Sequence, residues 1–332
     1  MELSYCVINT NGGEFLAKCL GSVRRTHPED MEHEVIVVDN ASEDGSPEMV
    51  RSRFPEVRLV ANDRREGITT NLNLLLSEAR GRFFCFLNED VELLEGAPGA
   101  LLEALRGDAR VAAAGALLLD PEHRETACAW RLPGLGSATA SALFLHRWLV
   151  NESGGPRTRE VGWCRSAALM IRHRAAEEVG GFDTGYFFYG EDADFQKRLR
   201  DEGWRIVHVP AARVVHHEQA SRRGSVNPRR VVQFHRSRDR YMRKHHSALV
   251  AKLAGLVWAW SYVPRAVAAL FLSGHETRPY WLHARQALWP SRGAGMREAA
   301  EAYNLARARA AAAPPSAGDR SSTPAAPASH QS

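Results

Sequence analysis

Phe83-Phe84-Cys85-Phe86-Leu87-Asn88-Glu89-Asp90 is the stretch from which the fold of this chain can be read. Five consecutive apolar residues predict a strand buried on both faces, as in a sheet covered by helices on either side. The run ends in an amide and two carboxylates. In open α/β sheets ligands bind beyond the carboxyl ends of the strands, so Asn88, Glu89 and Asp90 stand where a ligand would sit. Carboxylate oxygens beside a phosphate are also what a hard divalent cation requires. A solvated acidic turn has the same composition, because Asn and Asp commonly end strands. The surrounding sequence decides between the two.

Three other segments repeat the arrangement. Val35-Ile36-Val37-Val38-Asp39 is another buried strand with a carboxylate at its tip, followed by Asn40-Ala41-Ser42-Glu43-Asp44-Gly45-Ser46. A carboxylate at that place can accept the imide N–H of a uracil or thymine ring. Tyr186-Phe187-Phe188-Tyr189-Gly190-Glu191-Asp192 puts two acids at the first turn of a predicted helix, where they also favour the helix dipole. Val214-Val215-His216-His217 ends a short strand in two imidazoles.

Around these segments strands and helices alternate. Strands are predicted at Leu3–Ile8, Glu34–Val38, Val57–Ala61, Arg82–Leu87 and Val111–Leu119, with helices at Glu14–Arg25, Pro47–Phe54, Thr70–Ala79 and Leu93–Leu105. Such βα alternation predicts an α/β fold whose central sheet is mostly parallel, with helices on both faces. Residues 120–160 are poorly patterned. Beyond them, strand character resumes over Val161–Ile171, a helix spans Glu191–Glu202, and short strands fall at Arg205–Val209 and Arg213–His216.

Taken in order, Ile8-Asn9-Thr10-Asn11, the Val38–Ser46 block, Gly67 with Asn73, Asn88-Glu89-Asp90, Val179-Gly180-Gly181-Phe182-Asp183, Gly190-Glu191-Asp192 and Ala212–His217 resemble the motifs of family 2 glycosyltransferases of GT-A fold, in particular the bacterial rhamnosyltransferase-like group. The resemblance covers about residues 3 to 221. It implies a catalytic domain over 1–225, with a nucleotide-sugar half at 1–120 and an acceptor half at 121–225. It implies an inverting transfer of one sugar, rhamnose or a hexose, from a dTDP- or UDP-sugar to a saccharide or lipid-linked saccharide. Asp192 would be the base, with Glu191 beside it. Asp90 and His216 would hold Mg²⁺ or Mn²⁺, with His217 as the competitor of His216. Asn9, Asn11, Asp39, Gly67, Asn73 and Asn88 would surround the nucleotide. Two departures stand out: Asn88 replaces the first acid of the family's Asp-x-Asp motif, and Asn73-Leu74-Leu75 replaces Asn-x-Gly. The Gln-x-x-Arg-Trp motif of processive synthases is missing, which favours single transfer over polymerisation. Two rivals share parts of the pattern: a non-catalytic nucleotide-sugar or glycan-binding partner, and a sugar-nucleotide pyrophosphorylase, whose basic Gly-rich loop does not match Gly12-Gly13-Glu14.

Composition sets the outer bounds. At 332 residues the chain can bury a large core and carry an appendage. A net charge of +4 gives no reason to expect a nucleic-acid partner. Five widely spaced cysteines without a CxxC pair argue against zinc and fit a reducing cytosol. No basic-then-apolar leader opens the sequence, so no signal peptide is expected.

Residues 226–307 predict a helical extension. Arg222, Arg223, Arg229, Arg230, Arg236, Arg238, Arg240, Arg243 and Lys244 crowd its start; they suit either an anionic membrane surface or a solvated helix face. Leu249–Leu272 is apolar but interrupted by Lys252, Pro264 and Arg265, which disfavours a spanning helix. Helices lying in a membrane interface and a subdomain packed on the catalytic domain both fit. The location is therefore expected to be cytoplasmic, free or peripheral on the inner face. Residues 308–332, rich in Ala, Pro and Ser, are expected to be disordered.

Overall fold

The computed structural model describes residues 1–217, 227–271 and 276–312. The chain opens with β1 (Leu3–Asn9), α1 (Gly13–Thr26), β2 (His33–Asp39), α2 (Ser46–Arg53), β3 (Arg58–Ala61), α3 (Ile68–Glu78) and β4 (Phe83–Asn88), the alternation expected from the sequence. β1 lies between β2 and β4 and is parallel to both, and β2 pairs onward with β3. All of β1 and the apolar run of β4 are buried, which is why these strands read as continuous hydrophobic runs. The register sets Asn9 beside Asp39 and Ile8 beside Asn88. The polar tips of three strands therefore meet at one sheet edge.

The chain continues through β5 (Val91–Leu93), α4 (Ala97–Gly107), β6 (Val111–Leu119), β7 (Ala129–Trp130), α5 (Leu135–Ala142), α6 (His146–Leu149), β8 (Arg159–Glu160), β9 (Trp163–Cys164), β10 (Ala168–Arg172), α7 (His173–Glu178), α8 (Glu191–Asp201) and β11 (Arg205–His216). The main sheet runs β3-β2-β1-β4-β10-β6-β11-β5. β10 is antiparallel to both β4 and β6, so the sheet is mixed in its second half. The helix expected from Leu93 begins at Ala97 instead. Gly96 takes a left-handed turn (φ 76°) and Pro98 sits in the first turn, while Leu93 belongs to β5. The two strands expected over 205–216 are one strand with a register shift between Val209 and Arg213.

The described C-terminal part comprises α9 (Pro228–His245), α10 (Ala248–Ala269), α11 (Arg278–Leu288) and α12 (Met296–Ala312). Ala138, Tyr186 and Ala193 share one apolar cluster with Tyr241, Met242, Ala254 and Trp258, so the extension packs on the catalytic half. Five of the crowded basic residues are engaged inside the protein. Arg236 pairs with Glu298, Arg240 and Lys244 with Asp183, and Arg243 with Asp239, while Arg238 lies 3.7 Å over the Trp258 ring. Arg240 and Arg243 remain 45% and 58% exposed despite these pairs. Arg222 and Arg223 lie outside the described residues. Among the described residues no helix is long and apolar enough to cross a membrane. The expected disordered tail begins too early: 308–312 continue α12, because Ala and Arg are strong helix formers. Its remainder lies outside the described residues.

Candidate active site

The tip of β2 carries Asp39, which is buried. Its Oδ1 accepts from Asn9 Nδ2 at 2.7 Å and its Oδ2 from the Ser42 backbone N–H at 3.0 Å. Asn9 Oδ1 in turn accepts the Gly12 N–H at 3.0 Å, so Asn9 supports Asp39 and the loop together. Gly12 cannot carry a side chain there: a Cβ would come 2.3 Å from Asn9 Oδ1 and 2.8 Å from Glu89 Cγ. Asn11 (φ 55°) and Ala41 (φ 57°) are both left-handed, a conformation non-glycine residues rarely hold without support from their surroundings. The support is visible: Asn11 Oδ1 accepts the Glu43 N–H at 2.8 Å, and the Asn11 N–H donates to Ser42 Oγ at 2.8 Å.

Two residues that the sequence reading passed over complete this corner. Asn40 Oδ1 accepts the Glu66 N–H at 2.8 Å, and its Nδ2 donates to Glu66 O at 3.2 Å. The Asn62 N–H donates to Asp39 O at 2.8 Å. The signal was present, since Asn40 belongs to the block at the strand tip, but nothing in the sequence says which loop it faces.

Gly67 and Asn73 sit on α3 and its N-cap, against the aromatic run. A Cβ on Gly67 would meet Phe187 Cδ2 at 3.0 Å and its carbonyl oxygen at 3.2 Å. The Asn73 amide closes on the Phe182 backbone, donating to its O and accepting its N–H, both at 2.8 Å. In this structure Asn73 therefore joins α3 to the 180–189 loop. The missing glycine of its motif has not cost that junction.

Asn88, half-buried, ends β4 and donates its backbone N–H to Ala167 O at 2.9 Å. Glu89 is pushed up to about 8, first by burial and then by the Asp90 charge. Asp90 precedes β5, and β5 pairs antiparallel with β11, placing His216 opposite Val91. His216 Nε2 thereby lies 3.2 Å from Asp90 Oδ1, both side chains nearly buried. His217 faces the other way, as alternate strand residues do. Its Nε2 sits 2.7 Å from Glu92 Oε1 and its ring packs on Phe15. Among the described residues no group of three or more His, Cys, Asp or Glu gathers as a closed metal cage. One imidazole and one carboxylate suit a cation whose other positions are filled by water and substrate phosphate.

The third part of the site is the head of α8. Tyr189 (φ 67°) and Gly190 (φ 79°) are consecutive left-handed residues that turn the chain into the helix. Glu191 is buried, and its Oε2 has no hydrogen-bond partner among the described residues. Burial, then the Asp192 charge, raises its carboxyl above the ordinary range. Burial also raises Asp192, while the Ala193 N–H (2.8 Å) and the Arg165 charge draw it back. Arg165 was not singled out from the sequence, where nothing sets it apart from many other arginines. Gln196, one turn on, bonds Cys164 twice: its Oε1 accepts the Cys164 N–H and its Nε2 donates to Cys164 O, both at 2.7 Å. Asp194 points away, into an ion cluster with Arg198, Lys244 and His245.

This architecture is shared with solved glycosyltransferases. GalNAc-T7 with UDP, GalNAc and Mn²⁺ matches with a TM-score of 0.59 at 14% identity, over 92% of this chain and 57% of that one. Staphylococcus aureus TarS 1-349 in complex with UDP-GlcNAc gives 0.53 at 14% identity, over 87% and 82%. At such identity the likeness defines the fold, which is GT-A. The family model described as glycosyl transferase family 2 matches residues 4–126, and that described as glycosyl transferase family group 2 matches 158–289. The N-acetylglucosaminyl-diphospho-decaprenol L-rhamnosyltransferase of Mycobacterium tuberculosis H37Rv is 34% identical over 206 residues, 56% of this chain and 67% of that protein. Rhamnosyltransferase WbbL of Escherichia coli K12 is 40% identical over 57 residues, 17% of this chain and 22% of that one. The chain belongs to the family 2 glycosyltransferases, within a rhamnosyltransferase-like group, and is a glycosyltransferase.

Proposed function

We propose that this enzyme is an inverting, metal-dependent transferase. It moves one sugar, rhamnose or a hexose, from a dTDP- or UDP-sugar to a saccharide or lipid-linked saccharide in cell-surface polysaccharide synthesis. The observation that carries the reading is the meeting of Asp90 and His216 across β5 and β11, 3.2 Å apart. Mn²⁺ or Mg²⁺ held by these two would neutralise the departing diphosphate. Asp39 accepts the base N–H, with Asn9, Asn11 and Asn88 around the nucleotide. Gly67 and Asn73 shape the loop that faces it. Asp192, ionised, takes the proton of the acceptor hydroxyl as that oxygen attacks the anomeric carbon opposite the leaving diphosphate, which inverts the centre. The unpartnered Glu191 Oε2 supports a contact to the acceptor. Residues 1–120 serve the donor and 121–225 the acceptor.

The same proposal sets the protein peripherally on the inner face of the membrane, where a lipid-linked acceptor would lie. Leu249, Leu253, Leu256, Trp260 and Val267 of α10, with Phe271 just beyond it, are exposed and recur along one helical face. Residues 131–149 and 247–271 hold no acid but do hold Arg147, Lys252 and Arg265, and Phe144 and Trp148 are exposed beside them.

The test is protection from thermal unfolding by UDP, dTDP, GDP, ADP and their sugars, with and without Mn²⁺. Metal-dependent protection by uridine or thymidine species is expected. Absence of protection by any of them at millimolar concentration overturns the donor reading.

A further inference from the structure

No residue of α12 is buried. A helix without a buried face gains little from the hydrophobic effect and is marginal by itself. Polar contacts hold it in place: Glu298 pairs with Arg236 of α9 at 2.7 Å, and its middle reaches two loops more than 200 residues away. Asn304 pairs with both backbone groups of Arg65: its Oδ1 accepts the N–H at 2.7 Å and its Nδ2 donates to the carbonyl at 2.9 Å. The Tyr303 hydroxyl donates to Ala41 O at 3.3 Å. The Arg65 guanidinium lies 3.6 Å over the Tyr303 ring, and that of Arg297 stands 5.4 Å from the Phe187 ring.

The contacted positions all border the proposed donor site. Ala41 and Glu43 belong to the loop whose Ser42 N–H holds Asp39. Arg65 adjoins Glu66, which Asn40 clamps through both backbone groups. The 39–43 and 62–66 loops thus form one hydrogen-bonded unit around Asp39, and Tyr303 and Asn304 close it from outside. Arg65 N–H and O have no strand to pair with here; the Asn304 amide takes that place. Ala41 keeps its left-handed backbone with its carbonyl turned to Tyr303.

We propose that α12 is a positioning element of the donor site: Tyr303 and Asn304 hold the 41–43 and 65–66 loops in the shape in which Asp39 meets the pyrimidine of a nucleoside diphosphate. This rests on the donor reading above. A preformed loop lowers the ordering cost of binding, so losing it weakens donor affinity and leaves the proton transfer at Asp192 alone.

The experiment is calorimetric titration of UDP and dTDP, each with Mn²⁺, into the full chain and into Asn304→Ala, Tyr303→Ala and Tyr303→Phe. Steady-state kinetics follow on any donor sugar that turns over. Asn304→Ala and Tyr303→Ala are expected to weaken binding about tenfold and raise donor KM to match, with kcat within about twofold. Tyr303→Phe, which keeps the ring under Arg65, should recover part of the affinity. Melting temperatures should stay within about 2 °C, since no core is opened. Wild-type affinity in both alanine variants overturns the inference while leaving the donor reading intact. A fall in kcat at unchanged KM also overturns it. Failure of the wild-type chain to bind either nucleotide removes the donor reading and this inference together.

Discussion

Asp192 and Asp194 stand two residues apart on one helix and are opposites. Asp194 is completely buried, yet its carboxyl lies far below the ordinary range. Burial alone would push it up, but His245 and Lys244 hydrogen bonds and the Arg198 charge outweigh that. Tyr186 adds its hydroxyl at 3.2 Å. Asp192 is half-buried and raised. Two positions along an α-helix are about 200° around its axis, so one carboxylate joins the ion cluster at α9 while the other faces the cleft. Burial pushes both carboxyls up, and only at Asp194 do the partners outweigh it and reverse the direction. Asp194 serves as an anchor, and Asp192 is the acid proposed as the base.

Substitution should separate these two roles. Asp192→Asn is expected to lower kcat by about 10²–10⁴-fold, with UDP or dTDP affinity and melting temperature nearly unchanged. Near-normal turnover would end the assignment of the base. Asp194→Asn should do the reverse. It removes the buried carboxylate that Arg198, Lys244 and His245 share and should cost about 3 kcal/mol in urea unfolding, with kcat per folded molecule much less affected. A third contrast lies across the cleft. His216→Ala should weaken Mn²⁺-dependent nucleotide binding by about tenfold or more, a loss of about 1.4 kcal/mol, whereas His217→Ala should change it far less. Equal losses would show that the facing of the two imidazoles does not matter.

The smallest effect concerns pH. Asp192 must be ionised to accept a proton, so the acid limb of kcat should lie above the ordinary carboxylate value of about 4. In the ligand-free protein the raised pair, Glu191 and Asp192, binds more protons folded than unfolded. Its contribution to stability is fully present below about pH 4 and is lost as pH rises through the raised values. The lowered Asp194 contributes in the opposite sense: fully above about pH 4, and lost as pH falls through its folded value. Glu191→Gln should therefore flatten the decline in stability between about pH 5 and pH 8, by about 1 kcal/mol, read as the urea midpoint. A decline as steep as the wild type's would place its source elsewhere.

The strands of the first half were legible because burial on both faces leaves an unbroken apolar run, as in Phe83–Leu87. Strand direction was not: nothing in Ala168–Arg172 says that it runs antiparallel between β4 and β6. The same blindness hid why Asp90 and His216 meet, since that depends on the three-residue strand Val91–Leu93, whose end had been read as the start of a helix. The place of Glu191 and Asp192 at the head of a helix was legible from Gly190 before them. Asn73 was read as a neighbour of the nucleotide, and its closure on the Phe182 backbone was not foreseen. Asn40, Asn62 and the Tyr303–Asn304 contacts were not, because a polar side chain carries no mark of which distant segment it will meet. Residues 120–160 gave little because their short strands and helices lack any sustained period.

The double bond pattern between Gln196 and Cys164 has a mechanical consequence. A side-chain amide that accepts from and donates to the same backbone residue acts as one more rung of a ladder, so the turn bearing Asp192 is keyed to β9 as if it were a strand. Gln196 also donates to Asp192 O at 3.1 Å, which ties the peptide of Asp192 into that rung. The proposed base is thus a fixed point, and on that proposal room for an incoming acceptor comes from the segments around it rather than from any swing of α8.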